Sequence, residues 1–149
     1  MSGNTGHTPS GVYKLATVAC FIASVLAYLI GIWNAQMELN EKGYYLVCLM
    51  FGLFSAVSLQ KIIRDESDGV WSSDKYKLLC WVASISSISL FLIGLWNAAL
   101  VLSEKGFYIM AYLLALFSSA TMQKNERDDA EGKRIISSEE NTQQPPHES

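Results

Sequence analysis

Ile30-Gly31-Ile32-Trp33-Asn34-Ala35, followed by Glu41-Lys42-Gly43-Tyr44-Tyr45, returns later in the chain as Ile93-Gly94-Leu95-Trp96-Asn97-Ala98, followed by Glu104-Lys105-Gly106-Phe107-Tyr108. Leu53-Phe54-Ser55 and Gln60-Lys61 return at the same offset as Leu116-Phe117-Ser118 and Gln123-Lys124. A constant offset means one unit duplicated without insertion or deletion. Each copy is two apolar stretches joined by a polar tip, the pattern of a helical hairpin.

The charges around these tips are segregated. None falls within 15–33, 44–59, 78–96 or 107–122. Only 17% of the 149 residues are charged and 50% are hydrophobic, against roughly 25% charged in soluble domains. About 18 or more apolar residues span the roughly 30 Å of bilayer hydrocarbon. The first and third stretches meet that length. The second and fourth reach it by snorkelling of Gln60, Lys61, Gln123 and Lys124. The expected fold class is therefore all-α integral membrane, with four transmembrane helices as two tandem, same-orientation helical hairpins.

The domain reading follows. Residues 1–10 form a flexible N-terminal tail, 11–63 the first hairpin, 64–73 a polar connection, 74–124 the second hairpin, and 125–149 a disordered tail too polar to bury a core. His7 in the first tail has no partner at ligand spacing. Ser10 and Ser73 stand where helix N-caps belong. Lys14 is the only basic residue before an apolar run too long for a signal peptide, so no cleaved leader is expected. Lys14, Lys61, Arg64, Lys75, Lys77, Lys124, Arg127, Lys133 and Arg134 lie on the side of both termini, while the tips hold only Lys42 and Lys105. The positive-inside rule then puts both termini in the cytoplasm and makes the repeats parallel.

At the tips, the first helix is expected to run on through Asn34, Gln36 and Glu38 until Gly43 ends it, and Tyr44 to begin the return. Gly106 plays the same part in the second copy. Trp33, Tyr44, Tyr45, Trp96, Phe107 and Tyr108 form an interfacial aromatic belt.

Close packing of membrane helices needs small residues. Ala19, Ala23, Ala27, Gly31 and Ala35 recur every fourth position. Cys48, Gly52 and Ala56 do so in the second span, and Ala111, Ala115 and Ser119 in the fourth. The third keeps Gly94 and Ala98 but has Leu90 in the row. These are the expected packing faces. The three cysteines, Cys20, Cys48 and Cys80, all lie in apolar stretches with no CxxC pair, so buried reduced thiols are expected.

Candidate chemistry is sparse. Ser84, Ser86, Ser87 and Ser89 make the third span hydroxyl-rich, which suits helix–helix bonding or a polar solute path. No carboxylate or histidine lies at membrane depth to mark an ion route or ligate haem. The most suggestive polar set is Asn34, Glu41 and Lys42 with its duplicate Asn97, Glu104 and Lys105. It either caps and wets the tips or, with Trp33 and Trp96, forms an outward-facing binding surface. Glu38 has Val101 as its counterpart, so that surface is not symmetric. No catalytic, cofactor-binding or metal-ligating constellation is present, and the net charge of −3 comes mainly from the acidic tail and points to no nucleic-acid partner.

The duplicated Gly-x-Trp-Asn-Ala…Glu-Lys-Gly-x-Tyr hairpin resembles the YiaA/YiaB family of bacterial inner-membrane proteins, over about residues 10–129. The resemblance implies a multi-pass protein of a Gram-negative cytoplasmic membrane. It implies no activity and carries over no catalytic residue. The expected function is non-enzymatic, by helix–helix association with itself as a homo-oligomer or with a membrane-protein partner in the lipid bilayer. The alternative is a small-solute transporter or channel working as an oligomer.

Overall fold

A computed structural model describes residues 10–143, which form four helices: α1 (Gly11–Asn34), α2 (Leu39–Ser67), α3 (Asp74–Asn97) and α4 (Leu102–Gln143). Each carries an apolar window long enough to cross a membrane. Helix is the necessary choice there, because a backbone in hydrocarbon must satisfy its own hydrogen bonds. The expected N-terminal tail, with His7, lies outside the described residues except for Ser10, as does the chain from residue 144. Ser10 caps α1, its hydroxyl accepting the Tyr13 N–H at 3.3 Å. Ser73 occupies the N-cap of α3 but makes no side-chain bond there.

The tips differ from expectation. α1 stops at Asn34 and α2 begins at Leu39, so Gly43 sits inside the return helix rather than ending the first. The stronger signal is the acidic residue two positions earlier, Glu41 or Glu104. Glu41 Oε2 accepts the Glu38 N–H at 3.1 Å, and Glu104 Oε2 accepts the Val101 N–H at 3.3 Å. Each satisfies a backbone donor that a new helix leaves orphaned. From within the return helix, Lys42 Nζ donates to Trp33 O at 2.9 Å and Lys105 Nζ to Trp96 O at 3.1 Å. These bonds tie each lysine to the carbonyl end of the preceding helix, where a cation is favoured.

The ends opposite the tips also differ. α2 continues to Ser67, and Gly69 turns the short connection at a φ of 72°. The chain beyond residue 124, expected to be disordered, is helical where described, α4 running unbroken to Gln143. Its polar extension buries no core of its own, but it has charge partners on other helices. Lys14 of α1 pairs with Asp129. Arg64 of α2 bonds Asp128 at 2.8 Å and Glu131 at 2.9 Å, and Arg127 reaches Asp65 at 3.3 Å. The Asp128 hydrogen bond and the surrounding carboxylates hold the Arg64 guanidinium above its ordinary pKa, against the lowering effect of burial. Past Glu131 no such tether exists among the described residues, and the helix stands exposed.

The packing is crossed between repeats. Helices of one hairpin barely touch; α1 lies along α4, α3 lies along α2, and α2 meets α4 at the centre. Because α1 and α3 are equivalent, as are α2 and α4, the two lateral contacts are one contact used twice. The α2–α4 contact sits on the pseudo-twofold axis between them. Burial obeys the duplication: Ser24 and Ser87, Tyr28 and Phe91, Ile32 and Leu95, Tyr45 and Tyr108, Leu49 and Tyr112, Ser55 and Ser118 are all buried.

The interior has two layers. Toward the tips, Tyr28, Tyr45, Phe91, Tyr108 and Tyr112 fill the centre, with Phe91 stacked on Tyr112 at 4.0 Å. Toward the termini the layer is small and hydroxylated, built from Ser24, Ser55, Ser84, Ser87, Ser118 and Ser119. Small side chains there let helix backbones approach, which is how membrane helices gain contact energy. Cys48 and Cys80 are buried, whereas Cys20 is exposed, contrary to expectation; all three are free thiols.

Candidate functional site

The tip motifs of the two repeats meet each other. One cleft, of about 410 Å³, is bounded by Asn40, Glu41, Tyr44 and Tyr45 of α2 and by Gly94, Asn97 and Ala98 at the end of α3. A second, of about 340 Å³, is bounded by Ser103, Glu104, Phe107 and Tyr108 of α4 and by Gly31, Asn34 and Ala35 at the end of α1. Position for position these are the same site. Crossed packing makes each from the Gly-x-Trp-Asn-Ala end of one repeat and the Glu-Lys-Gly start of the other, so Asn97 joins Glu41 and Asn34 joins Glu104.

Glycine is needed on both walls. A β-carbon on Gly31 would stand 2.8 Å from Tyr108 Cε1 and 3.2 Å from its hydroxyl. One on Gly94 would stand 3.1 Å from the Tyr44 hydroxyl. Tyr44 in turn donates to Leu90 O across the α2–α3 contact. Its counterpart Phe107 has no hydroxyl, which is one difference between the clefts.

Much of the polar set has local work. Asn34 Nδ2 donates to Ile30 O at 2.9 Å and Asn97 Nδ2 to Ile93 O at 2.8 Å, closing the last turns of α1 and α3. Glu41 and Glu104 each commit one oxygen to the backbone donors ahead of them. Lys42 and Lys105 are directed to their own hairpins and line neither cleft. Lys42 also lies 6.0 Å from the Trp33 ring. Trp33 and Trp96 are 78% and 84% exposed, as belt residues at a membrane surface would be.

The small residues divide. Ala111, Ala115 and Ser119 are buried on α4, and Gly52 is buried on α2, with Ala56 and Ala98 partly so. On α1, Ala27, Gly31 and Ala35 turn partly inward while Ala19 and Ala23 are exposed. Steps of four overshoot a 3.6-residue turn by about 40°, so a row of five winds about 160° around the helix. The row therefore leaves the bundle as it descends.

The hydroxyl layer is internally satisfied. Ser24, Ser118 and Ser119 donate to carbonyls of their own helices at 2.9, 2.6 and 2.8 Å. Ser87 donates to Ser84 O at 3.0 Å and lies 3.3 Å from Ser55 Oγ, bridging α2 and α3. The aromatic layer closes the bundle above it. Sequence reasoning missed Tyr45 and Tyr108 as cleft residues, having assigned both to the belt. Their retention in both copies beside retained Glu and Gly residues was the available signal.

Comparison with known proteins agrees with the duplication. The yiaA/B two helix domain matches residues 13–65 and again 76–128. Inner membrane protein YiaA of Escherichia coli is 46% identical over 125 residues, covering 84% of this chain and 86% of that protein. Inner membrane protein YiaB of the same organism is 31% identical over 104 residues, covering 70% of this chain and 88% of that protein. The uncharacterized membrane protein YubF of Bacillus subtilis is 41% identical over 49 residues, 32% of this chain and 56% of that protein. No solved structure matches the chain.

Proposed function

The chain belongs to the YiaA/YiaB family, and from that premise we propose that it is a non-enzymatic protein of the bacterial inner membrane that acts by helix–helix association. The inner-membrane relatives and the four apolar helices support the location. The excess of Lys and Arg at the end bearing the termini supports a cytoplasmic placement of both termini.

The observation that carries association is where the small residues go. Ala19 and Ala23 continue the α1 row onto the outside of the bundle. That leaves a small-residue strip, flanked by exposed Leu15, Ile22 and Leu26, facing lipid or another membrane helix. Solute carriage is the weaker reading. A path along the axis meets the stacked Phe91 and Tyr112 rings, and the serines that would line it already bond to protein.

Mild crosslinking in native membranes, then affinity purification and mass spectrometry, tests this. Association predicts a stoichiometric partner or a homo-oligomer, weakened by Ala23→Leu with the monomer still folded. Recovery of monomer alone, together with solute flux from purified protein in liposomes, would overturn it in favour of transport.

A further inference from the structure

Each tip cleft gathers groups that suit one kind of ligand. Glu41 uses Oε2 on the Glu38 N–H and keeps its other carboxylate oxygen; Glu104 does the same with Val101. Asn97 and Asn34 spend their amide N–H on the backbone, which leaves each Oδ1 as an acceptor. The wall beside each carboxylate is an edge-to-face aromatic pair: Tyr44 and Tyr45 with centroids 5.4 Å apart, Phe107 and Tyr108 at 5.6 Å. The other wall is a helix C-terminus; Lys42 and Lys105 take its Trp33 and Trp96 carbonyls, and its other last carbonyls lack intrahelical donors. The return helix brings its positive N-terminus, but Glu41 and Glu104 already answer that end.

Two phenols without a protein partner line the clefts. Tyr45 and Tyr108 are each 5% exposed. Tyr28, Tyr44 and Tyr112 all donate to backbone carbonyls, whereas among the described residues neither Tyr45 nor Tyr108 has a hydrogen-bond partner for its hydroxyl. Tyr45 lines the first cleft, and Tyr108 lines the second, where its hydroxyl faces Gly31. Among the described residues no side-chain oxygen is both buried and unpaired, so these two hydroxyls remain accessible and free to accept from an occupant of the cleft.

We propose that each tip cleft binds an alkylammonium group, either the amine of a lipid headgroup or a free amine, giving two sites per chain. A carboxylate oxygen, an amide carbonyl and a phenol oxygen accept from the ammonium, while aromatic rings solvate the alkyl side and attract the charge. The exposed Trp33 and Trp96 beside the clefts set them at the depth of lipid headgroups. This site is independent of the association reading, which concerns the opposite stretch of α1.

The test uses the purified full chain in detergent. Native mass spectrometry compares phosphatidylethanolamine with phosphatidylglycerol of matched acyl chains. Tryptophan fluorescence is titrated with ethylammonium chloride against sodium chloride at equal ionic strength. Glu41→Gln and Glu104→Gln are the variants, because glutamine also serves at this capping position and keeps the tip folded. The expected result is up to two phosphatidylethanolamine molecules per chain, with phosphatidylglycerol bound less. Each single variant loses one site, and the double variant binds at least tenfold more weakly at both. Saturable ethylammonium binding with the same dependence on Glu41 and Glu104, without lipid preference, supports the proposal and identifies a free amine as the source. Equal retention of the two lipids with no saturable ethylammonium signal overturns it. So does binding that survives in the double variant.

Discussion

Replacing Gly52 by alanine tests the centre of the bundle, where α2 crosses α4. A β-carbon at Gly52 would overlap the Tyr112 hydroxyl, stand 2.9 Å from Tyr112 Cζ and press Leu116 Cδ2 at 3.0 Å. Tyr112 has no room to yield. It is fully buried, stacked on Phe91 at 4.0 Å, and its hydroxyl donates to Cys48 O at 3.4 Å. Overpacking of this kind costs about 1–3 kcal/mol, and losing the Tyr112 bond adds about 1 kcal/mol. Alanine's better helix propensity returns up to about 1 kcal/mol. The net expectation is a loss of about 1–3 kcal/mol, read by reversible unfolding in mixed micelles. The rescue is specific. The duplication places Leu49 and Ala115 where Tyr112 and Gly52 stand, so Gly52→Ala with Tyr112→Leu copies a leucine–alanine pairing the chain already uses. That double variant should be more stable than the sum of its single changes by at least 1 kcal/mol. A Gly52→Ala protein as stable as the parent, or strict additivity of the two changes, would refute the crossed packing.

Other expectations follow from the ends and the interior. Arg64→Gln removes the bonds to Asp128 and Glu131, so amide exchange over 126–143 should quicken several-fold while the spans stay protected; high salt should act in the same direction. Lys42→Met removes the tie to Trp33 O and should quicken exchange around 35–41 at a cost below about 1 kcal/mol. Ser87→Ala should lower stability by no more than about 1 kcal/mol, because its hydroxyl bonds mainly within α3. Ser87→Leu, by contrast, should prevent assembly of the bundle, since Ser87 is buried between helices, and size-exclusion profiles in detergent separate the two outcomes.

The spans were legible because their signal is long and one-dimensional: charge-free stretches and a repeat at constant offset need no knowledge of partners. The tips were misread for a local reason. Gly43 reads in sequence as a helix stop, yet it lies in a regular helix with open space around it, and the residue that decides the boundary is Glu41, two positions earlier. The α4 extension was misread for a non-local one. Composition alone gives residues 125–143 no core, and only the fold reveals that Lys14, Arg64 and Asp65 wait on other helices to pair with Asp129, Asp128 and Arg127. The clefts were legible as residues and illegible as sites. Asn34, Glu41, Asn97 and Glu104 were visible as a set, but each hairpin read by itself pairs Asn34 with Glu41. Crossed packing exchanges those partners.

That exchange also explains why the two copies have diverged inside while agreeing at the tips. A pseudo-twofold axis through the α2–α4 contact brings different residues face to face, so size can be traded across it. Tyr112 fills the space that Gly52 leaves, and the copies hold Leu49 and Ala115 in the reciprocal places. Two second repeats paired with each other would set Tyr112 against the methyl of Ala115, where the present geometry tolerates only glycine. Two first repeats would set Leu49 against Gly52 and leave a gap. The interior therefore specifies one repeat of each kind. The tips face no such trade, because each cleft needs the same glycine wall, the same capping glutamate and the same asparagine whichever repeat supplies them. Glu41, Gly31, Asn34 and Tyr45 accordingly match Glu104, Gly94, Asn97 and Tyr108, whereas Leu49, Gly52 and Ile62 have Tyr112, Ala115 and Asn125 as their counterparts.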